Sequence, residues 1–177
     1  VTELRLTSAL LRGWRHDDAE SLARHANNPN VARNLRDAFP SPYGMDDARE
    51  FLARRVGEDP PTNFAIEVDG EAAGGIGIRF HDDIERGVGE IGYWLSEVHW
   101  GCGITTEAIV AVTEYAWRTF PLDRIEAVPF ARNAASARVL TKAGYALEGR
   151  RTHRVRKGAE LLDDLVYVAL RATSSAR

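Results

Sequence analysis

The stretch Glu90-Ile91-Gly92-Tyr93-Trp94-Leu95-Ser96-Glu97-Val98-His99-Trp100-Gly101-Cys102-Gly103-Ile104-Thr105-Thr106-Glu107-Ala108 decides the architecture. Gly89 to Leu95 reads as a strand. A helix is expected from about Gly103 to Thr119, because Ile104, Ala108, Ile109, Val112, Tyr115 and Ala116 recur at helical spacing. Arg124 to Val128 follows as a short buried strand, so the segment forms a β-α-β crossover. Between strand and helix, the glycines of Trp100-Gly101-Cys102-Gly103-Ile104-Thr105 let the chain turn tightly. They present successive N–H groups at the positive end of the helix, which suits an anion; the same pattern also serves as a plain turn. No Gly-Lys-Ser/Thr follows, so this is not a Walker-type loop, and the missing third glycine argues against a dinucleotide fingerprint.

Upstream, Leu4 to Trp14 is β-like, and His16-Asp17-Asp18 opens a helix that Asn27-Asn28-Pro29-Asn30 ends. A helical turn is expected over Val31 to Leu35. A second helix starts at Asp46 or Asp47 and carries Ala48, Phe51, Leu52 and Val56 on one side. Strands at Asn63 to Val68 and Ala72 to Phe80 flank Asp69-Gly70, a strong hairpin dipeptide. Downstream, Asn133 to Ala143 is a helix stopped by Gly144, and Tyr145 to Arg156 pairs with Glu160 to Leu170 across Lys157-Gly158. The order predicts a mixed α/β sheet with helices on its faces.

The chain has 177 residues, 44% hydrophobic and 28% charged, which fits one globular domain. A net charge of −3 gives no electrostatic footprint for nucleic acid or an anionic membrane. Cys102 is the single cysteine, which excludes an internal disulfide framework and a cysteine-based zinc site and fits a reducing, cytoplasmic compartment. No apolar run is long enough for a membrane helix, and the N-terminus alternates like a strand, unlike a signal peptide. His16, His25, His81 and His99 show no metal spacing, so no metal is expected.

Taken jointly, Glu90-Ile91-Gly92-Tyr93-Trp94-Leu95, Trp100-Gly101-Cys102-Gly103-Ile104, Thr106-Glu107-Ala108 and Asn133…Ser136…Gly144-Tyr145…Glu148-Gly149 resemble the GNAT N-acetyltransferase superfamily, nearest its RimJ/RimL-like branch of ribosomal-protein N-terminal acetyltransferases. Leu11-Arg12, Asp18-Ala19, Pro42-Tyr43, Asp47-Ala48 and Asp163…Tyr167 extend the resemblance over nearly the whole chain. It implies an α/β (α+β) GNAT fold: a mixed, mostly antiparallel twisted sheet with a splayed central strand pair and helices on both faces. It further implies a single N-acetyltransferase domain over residues 1–177, with acetyl-CoA as cosubstrate and no metal. The acetyl group would pass directly to a primary amine of a protein or peptide N-terminus. A small amine (polyamine, amino acid derivative or aminoglycoside) is the alternative acceptor, and a non-catalytic acyl-CoA-binding module is the alternative role. A homodimer is left open.

By the same resemblance, the backbone of Trp94 and Leu95 pairs with the pantetheine arm, and the amides of Gly101, Cys102, Gly103, Ile104 and Thr105 hold the pyrophosphate. Asn133 reaches the pantetheine while also capping its helix, and Arg138 or Lys142 approaches the ADP end. The chain departs from the family at Cys102, usually Arg or Lys, at Thr105, often Gly or Ala, and at Leu140, where many members carry a tyrosine general acid. Ser136 inherits that acid role. Glu90 is the candidate base, with a structural role in the sheet as the alternative, and His153 is a second candidate. Related enzymes place an acid just beyond, where this chain has Arg154-Val155-Arg156. Tyr93, Trp94, Trp100 and the Pro40–Tyr43 loop are candidates to line the acceptor cleft.

Overall fold

A computed structural model describes residues 2–172. The segment expected as one strand from Leu4 to Trp14 is a small hairpin, β1 (Leu4–Arg5) and β2 (Leu10–Arg12), because the chain reverses where the Leu6 N–H donates to the Ala9 carbonyl at 2.9 Å. A single helical turn over His16–Asp18 leads into α1 (Ala19–Ala26). Asn28 caps α2 (Pro29–Ala32) by accepting the Asn30 N–H at 2.8 Å, and Pro29 at the first position starts that turn earlier than its apolar residues suggest. In α3 (Met45–Arg55), Asp47 accepts the Gly44 N–H at 2.8 Å.

The remaining elements follow the expected order. They are β3 (Asn63–Val68), β4 (Glu71–Phe80), β5 (Val88–Leu95), α4 (Ile104–Thr119), β6 (Arg124–Ala127), α5 (Ala134–Lys142), β7 (Ala146–Lys157) and β8 (Glu160–Leu170). Asp69 and Gly70 both take positive φ (50° and 82°), the conformation of a tight primed turn that matches strand twist. The strands form one eight-stranded sheet in the order β1-β2-β3-β4-β5-β6-β8-β7. Among the described residues, only the β5–β6 pair is parallel.

Both faces are covered. Phe64, Ile66, Ile76, Ile109, Val112, Ile125 and Leu140 pack on the side of α4 and α5, whereas Trp14, Leu22, Ala48, Leu52 and Ala65 pack on the side of α1 and α3. Phe64, Ala65 and Ile66 are fully buried on alternating faces, which is why this strand reads as a continuous apolar run.

Among the described residues, strand β5 pairs with β6 only through Val88–Arg124, Gly89–Ile125 and Glu90–Glu126, and from Ile91 onward its outer edge has no strand neighbour. Behind the splay, β4 approaches β5 closely. A Cβ at Gly74 would sit 2.6 Å from the Trp94 carbonyl and 3.1 Å from the Leu95 Cα, both backbone atoms. Gly74→Ala is therefore expected to push β4 from β5 and lose about 2 kcal/mol of stability, read by thermal or urea unfolding. Gly92→Ala, with open space around its Cβ, is the control expected to change little.

Candidate active site

The splay opens into a cleft of about 550 Å³. Its geometry follows from ladder parity. In an antiparallel pair, residues that exchange hydrogen bonds alternate with residues that do not. The Ser96 N–H donates to the Ala73 carbonyl at 2.8 Å, so Trp94 and Gly92 bond to Gly75 and Gly77 in the same register. Tyr93 and Leu95 then turn their N–H and C=O groups away from β4 and into the splay. The expectation for a paired Trp94–Leu95 backbone is corrected by one position: Leu95 presents its backbone, and Tyr93 rather than Trp94 supplies the other set. The Leu95 carbonyl accepts the Trp100 indole N–H at 2.8 Å, which fixes the start of the glycine loop against the strand.

The pleat also sorts side chains between the two faces. Trp94 lies toward α3, edge-on to Phe39 at 5.6 Å between centroids. Tyr93 lies toward α5, where its hydroxyl is 2.7 Å from the Ser136 hydroxyl. Burial pushes the Tyr93 phenol well above its usual range, opposed in part by the bond to Ser136, so the phenol stays protonated. Asn133 accepts the Ser136 N–H at 3.2 Å as the α5 cap, which sets the position of that hydroxyl. Leu140, where a tyrosine acid is common in the resembling family, is fully buried and belongs to the core.

At the loop, Gly101 and Gly103 have φ of 78° and 83°, and Gly103 is the α4 N-cap without a side-chain cap. The first-turn amides of α4 are thus free of side-chain partners at the positive end of a helix 16 residues long. Gly101 and Thr105 line the cleft with Trp94, Leu95, Asn133 and Ser136. Cys102, Gly103 and Ile104 do not; the Cys102 thiol is exposed and the Ile104 side chain packs into the core. Arg138 lies with Lys142 and Tyr167 beside a separate shallow depression, away from the cleft.

At the other end, Glu90 accepts Arg36 at 2.5 Å on one oxygen and Arg79 at 2.8 Å on the other. Each carboxylate oxygen keeps a lone pair. Glu126 is the parallel neighbour of Glu90 and is bonded by Arg124 at 2.6 Å. Arg36, Arg79 and His81 line this end and were not singled out from sequence, where nothing marks a guanidinium as facing inward. His153 does not line the cleft. The Pro40–Tyr43 loop also does not line it: Tyr43 is buried, its ring tilted against Phe39 at 5.0 Å between centroids, and its N–H donates to Asn27 at 3.1 Å. Among the described residues, no group of three or more His, Cys, Asp or Glu is arranged to hold a metal, and no helix is long and apolar enough to cross a membrane.

The fold has counterparts among known proteins. The Acetyltransferase (GNAT) domain family matches residues 9–146. The chain is 27% identical to the uncharacterized N-acetyltransferase p20 of Bacillus licheniformis over 165 residues, 91% of this chain and 92% of that protein. The ribosomal-protein-S5-alanine acetyltransferase of Vibrio fischeri has a TM-score of 0.83 at 18% identity, covering 98% of each chain. RimL, a ribosomal L7/L12 alpha-N-protein acetyltransferase solved in complex with coenzyme A, has a TM-score of 0.83 at 19% identity, covering 96% of this chain and 98% of that one. At such identities the two structures speak for the fold, while the family match spans β5, the glycine loop, α4, β6 and α5 but stops short of the β7–β8 wall of the cleft. The chain belongs to the GNAT acetyltransferase family and is an acyltransferase, as the motifs around Gly101 and Asn133 imply.

Proposed function

We propose that the protein transfers the acetyl group of acetyl-CoA to a primary amine, with a protein or peptide N-terminal α-amine as acceptor, in the cytoplasm. The observation that carries this reading is the unpaired edge of β5, where Tyr93 and Leu95 offer backbone donors and acceptors to an extended ligand as an added strand would. The residues present fit acetyl-CoA. The amides from Gly101 to Thr105 suit its pyrophosphate, and Asn133 and Leu95 suit the amides of its arm.

Acetyl-CoA supplies an acetyl group activated as a thioester. A backbone N–H of the splayed strand, at Leu95 or Tyr93, is placed to stabilise negative charge on the thioester oxygen. Glu90 faces the α1/α3 side of the splay and takes the proton that an incoming ammonium must lose. Ser136, on the α5 side, returns a proton to the departing sulfur, with its hydroxyl held by Tyr93. Base and acid thus work from opposite faces of the sheet.

The test is release of free thiol from acetyl-CoA in the presence of an acceptor panel of short peptides, ribosomal-protein N-termini, polyamines and aminoglycosides. Turnover is expected with peptide α-amines. Turnover confined to polyamines or aminoglycosides would overturn the acceptor class, and acetyl-CoA binding without turnover on any amine would overturn the enzymatic reading.

A further inference from the structure

The acceptor end of the cleft has a cation that the protein itself does not neutralise. Arg36 and Arg79 share Glu90. Arg151 closes on the buried Asp164 through two contacts, at 2.8 and 2.7 Å. Glu126 is held by Arg124, so no cleft carboxylate is left over. Arg154 also lines the cleft, yet among the described residues it makes no ion pair and no side-chain hydrogen bond.

Its position there is built rather than incidental. In a regular strand, Arg151 and Arg154 would face opposite sides of the sheet, because they are an odd number of residues apart. The β7–β8 register instead jumps from Arg151–Asp164 to Val155–Leu162, so Thr152, His153 and Arg154 stand against Asp163 alone. This bulge is pinned at its centre. His153 takes φ of 50°, and its N–H donates to Asp163 at 2.8 Å, while Arg150 bonds the other oxygen of the same carboxylate. Those two donors hold Asp163 below the usual carboxylate range, which keeps the anchor ionised at neutral pH. Bulges beside active sites re-aim side chains, and this one leaves Arg151, Arg154 and Val155 all lining the same cleft.

We infer that Arg154 is a specificity-determining residue that receives an anionic group, a carboxylate or phosphate, carried by the acceptor close to its reacting amine. The inference rests on the N-acetyltransferase reading and narrows its acceptor class to acidic-leading peptides or similarly anionic amines. A guanidinium without an internal partner attracts an anion and repels a second cation, so polyamines and aminoglycosides are disfavoured at this end of the cleft. The bulge needs only its own anchor, and the free fork is left to the acceptor.

The test compares otherwise identical peptides with Asp, Asn or Lys as the second residue after a free N-terminal Ala. The kcat/KM for the Asp peptide is expected to exceed that for the Lys peptide about tenfold, the size of one charge-assisted hydrogen bond. Arg154→Gln is expected to reduce the ratio to about twofold or less, and Arg154→Glu to reverse it, on the same tenfold scale. Arg156→Gln, a basic residue of β7 that does not line the cleft, is expected to keep the wild-type ratio. Each ratio is taken within one variant, so differences in folded fraction cancel. In the wild type, raising salt from about 0.05 to 0.5 M should shrink the preference. An absent preference, or one that survives Arg154→Gln, overturns the inference. If no peptide is acetylated, the N-acetyltransferase reading of the acceptor falls separately. The same peptides titrated into CoA-loaded protein then carry the test, where acid-selective binding lost in Arg154→Gln supports the inference and binding blind to charge overturns it.

Discussion

Arg12→Leu is expected to destabilise the fold by about 3–5 kcal/mol, the range for breaking a buried ion pair from one side. Arg12 is only 2% exposed, at the end of β2 on the α1/α3 face. Its guanidinium donates to both oxygens of Asp18, at 2.8 and 2.7 Å, and to Glu67 on β3 at 2.5 Å. Burial works against its charge, but its hydrogen bonds to Asp18 and Glu67 more than offset this and raise its pKa. Leucine would leave the buried Asp18 without its ion-pair partner and Glu67 with only the longer contact from Arg15 at 4.0 Å. For a chain of this length the loss corresponds to a melting temperature lower by about 6–20 °C. Arg12→Lys is expected to recover little, because one ammonium cannot replace a planar fork that serves two carboxylates. Adding Asp18→Asn and Glu67→Gln to Arg12→Leu should recover part of the loss by removing the orphaned charges. Urea unfolding of the series decides it, and Arg12→Leu within about 1 kcal/mol of wild type would sink the argument.

The same network ties stability to the site. Arg12 fixes the turn that starts α1, and the far end of α1 touches the chain just past β5. His25 lies 2.9 Å from the Ser96 hydroxyl, and Asn28 and Asn30 donate to Glu97 at 2.7 and 3.1 Å. The residues that follow Leu95 are therefore clamped by the helix that Arg12 anchors. Loosening this corner is expected to disturb the splayed strand as well as the core.

What sequence conveys about this molecule depends on how local the cause is. The turn at Asp69-Gly70, the helix stop at Gly144 and the glycine loop before α4 are legible because φ preference and capping act within a few residues. The β1–β2 hairpin is not, since its reversal at Thr7-Ser8 uses neither glycine nor proline. Which β5 residues show their backbone to the cleft depends on register with β4, and a shift of one residue exchanges Trp94 for Tyr93. The Pro40–Tyr43 loop carries an aromatic residue that suits either a cleft wall or the core, and packing on Phe39 decides for the core. The pairings of Arg36 with Glu90 and of Tyr93 with Ser136 join residues 54 and 43 positions apart, beyond any local pattern. Arg154 faces the cleft only because Asp163, on the neighbouring strand, pins a bulge that composition does not announce.

Ser136→Ala is expected to lower kcat about 100-fold while moving KM for acetyl-CoA by less than about threefold. With Leu140 buried, the hydroxyl pair Tyr93–Ser136 is the proton source that the α5 side of the cleft offers to a departing thiolate. Tyr93 keeps its proton because burial holds the phenol high. When that proton is given to the Ser136 oxygen, the serine hydrogen is free to point into the cleft. Alanine removes the donor and leaves the phenol without its partner, but touches none of the backbone groups proposed to hold acetyl-CoA. Tyr93→Phe keeps the serine hydroxyl and loses only its orientation, so a smaller fall of about tenfold is expected. The double variant distinguishes a relay from two separate contributions. If tyrosine acts only through serine, Ser136→Ala with Tyr93→Phe should be no slower than Ser136→Ala alone, whereas independent roles would multiply to about 1000-fold. Single-turnover rates with CoA affinity measured in parallel give the answer. A Ser136→Ala enzyme within about threefold of wild type in kcat would remove the acid role from α5.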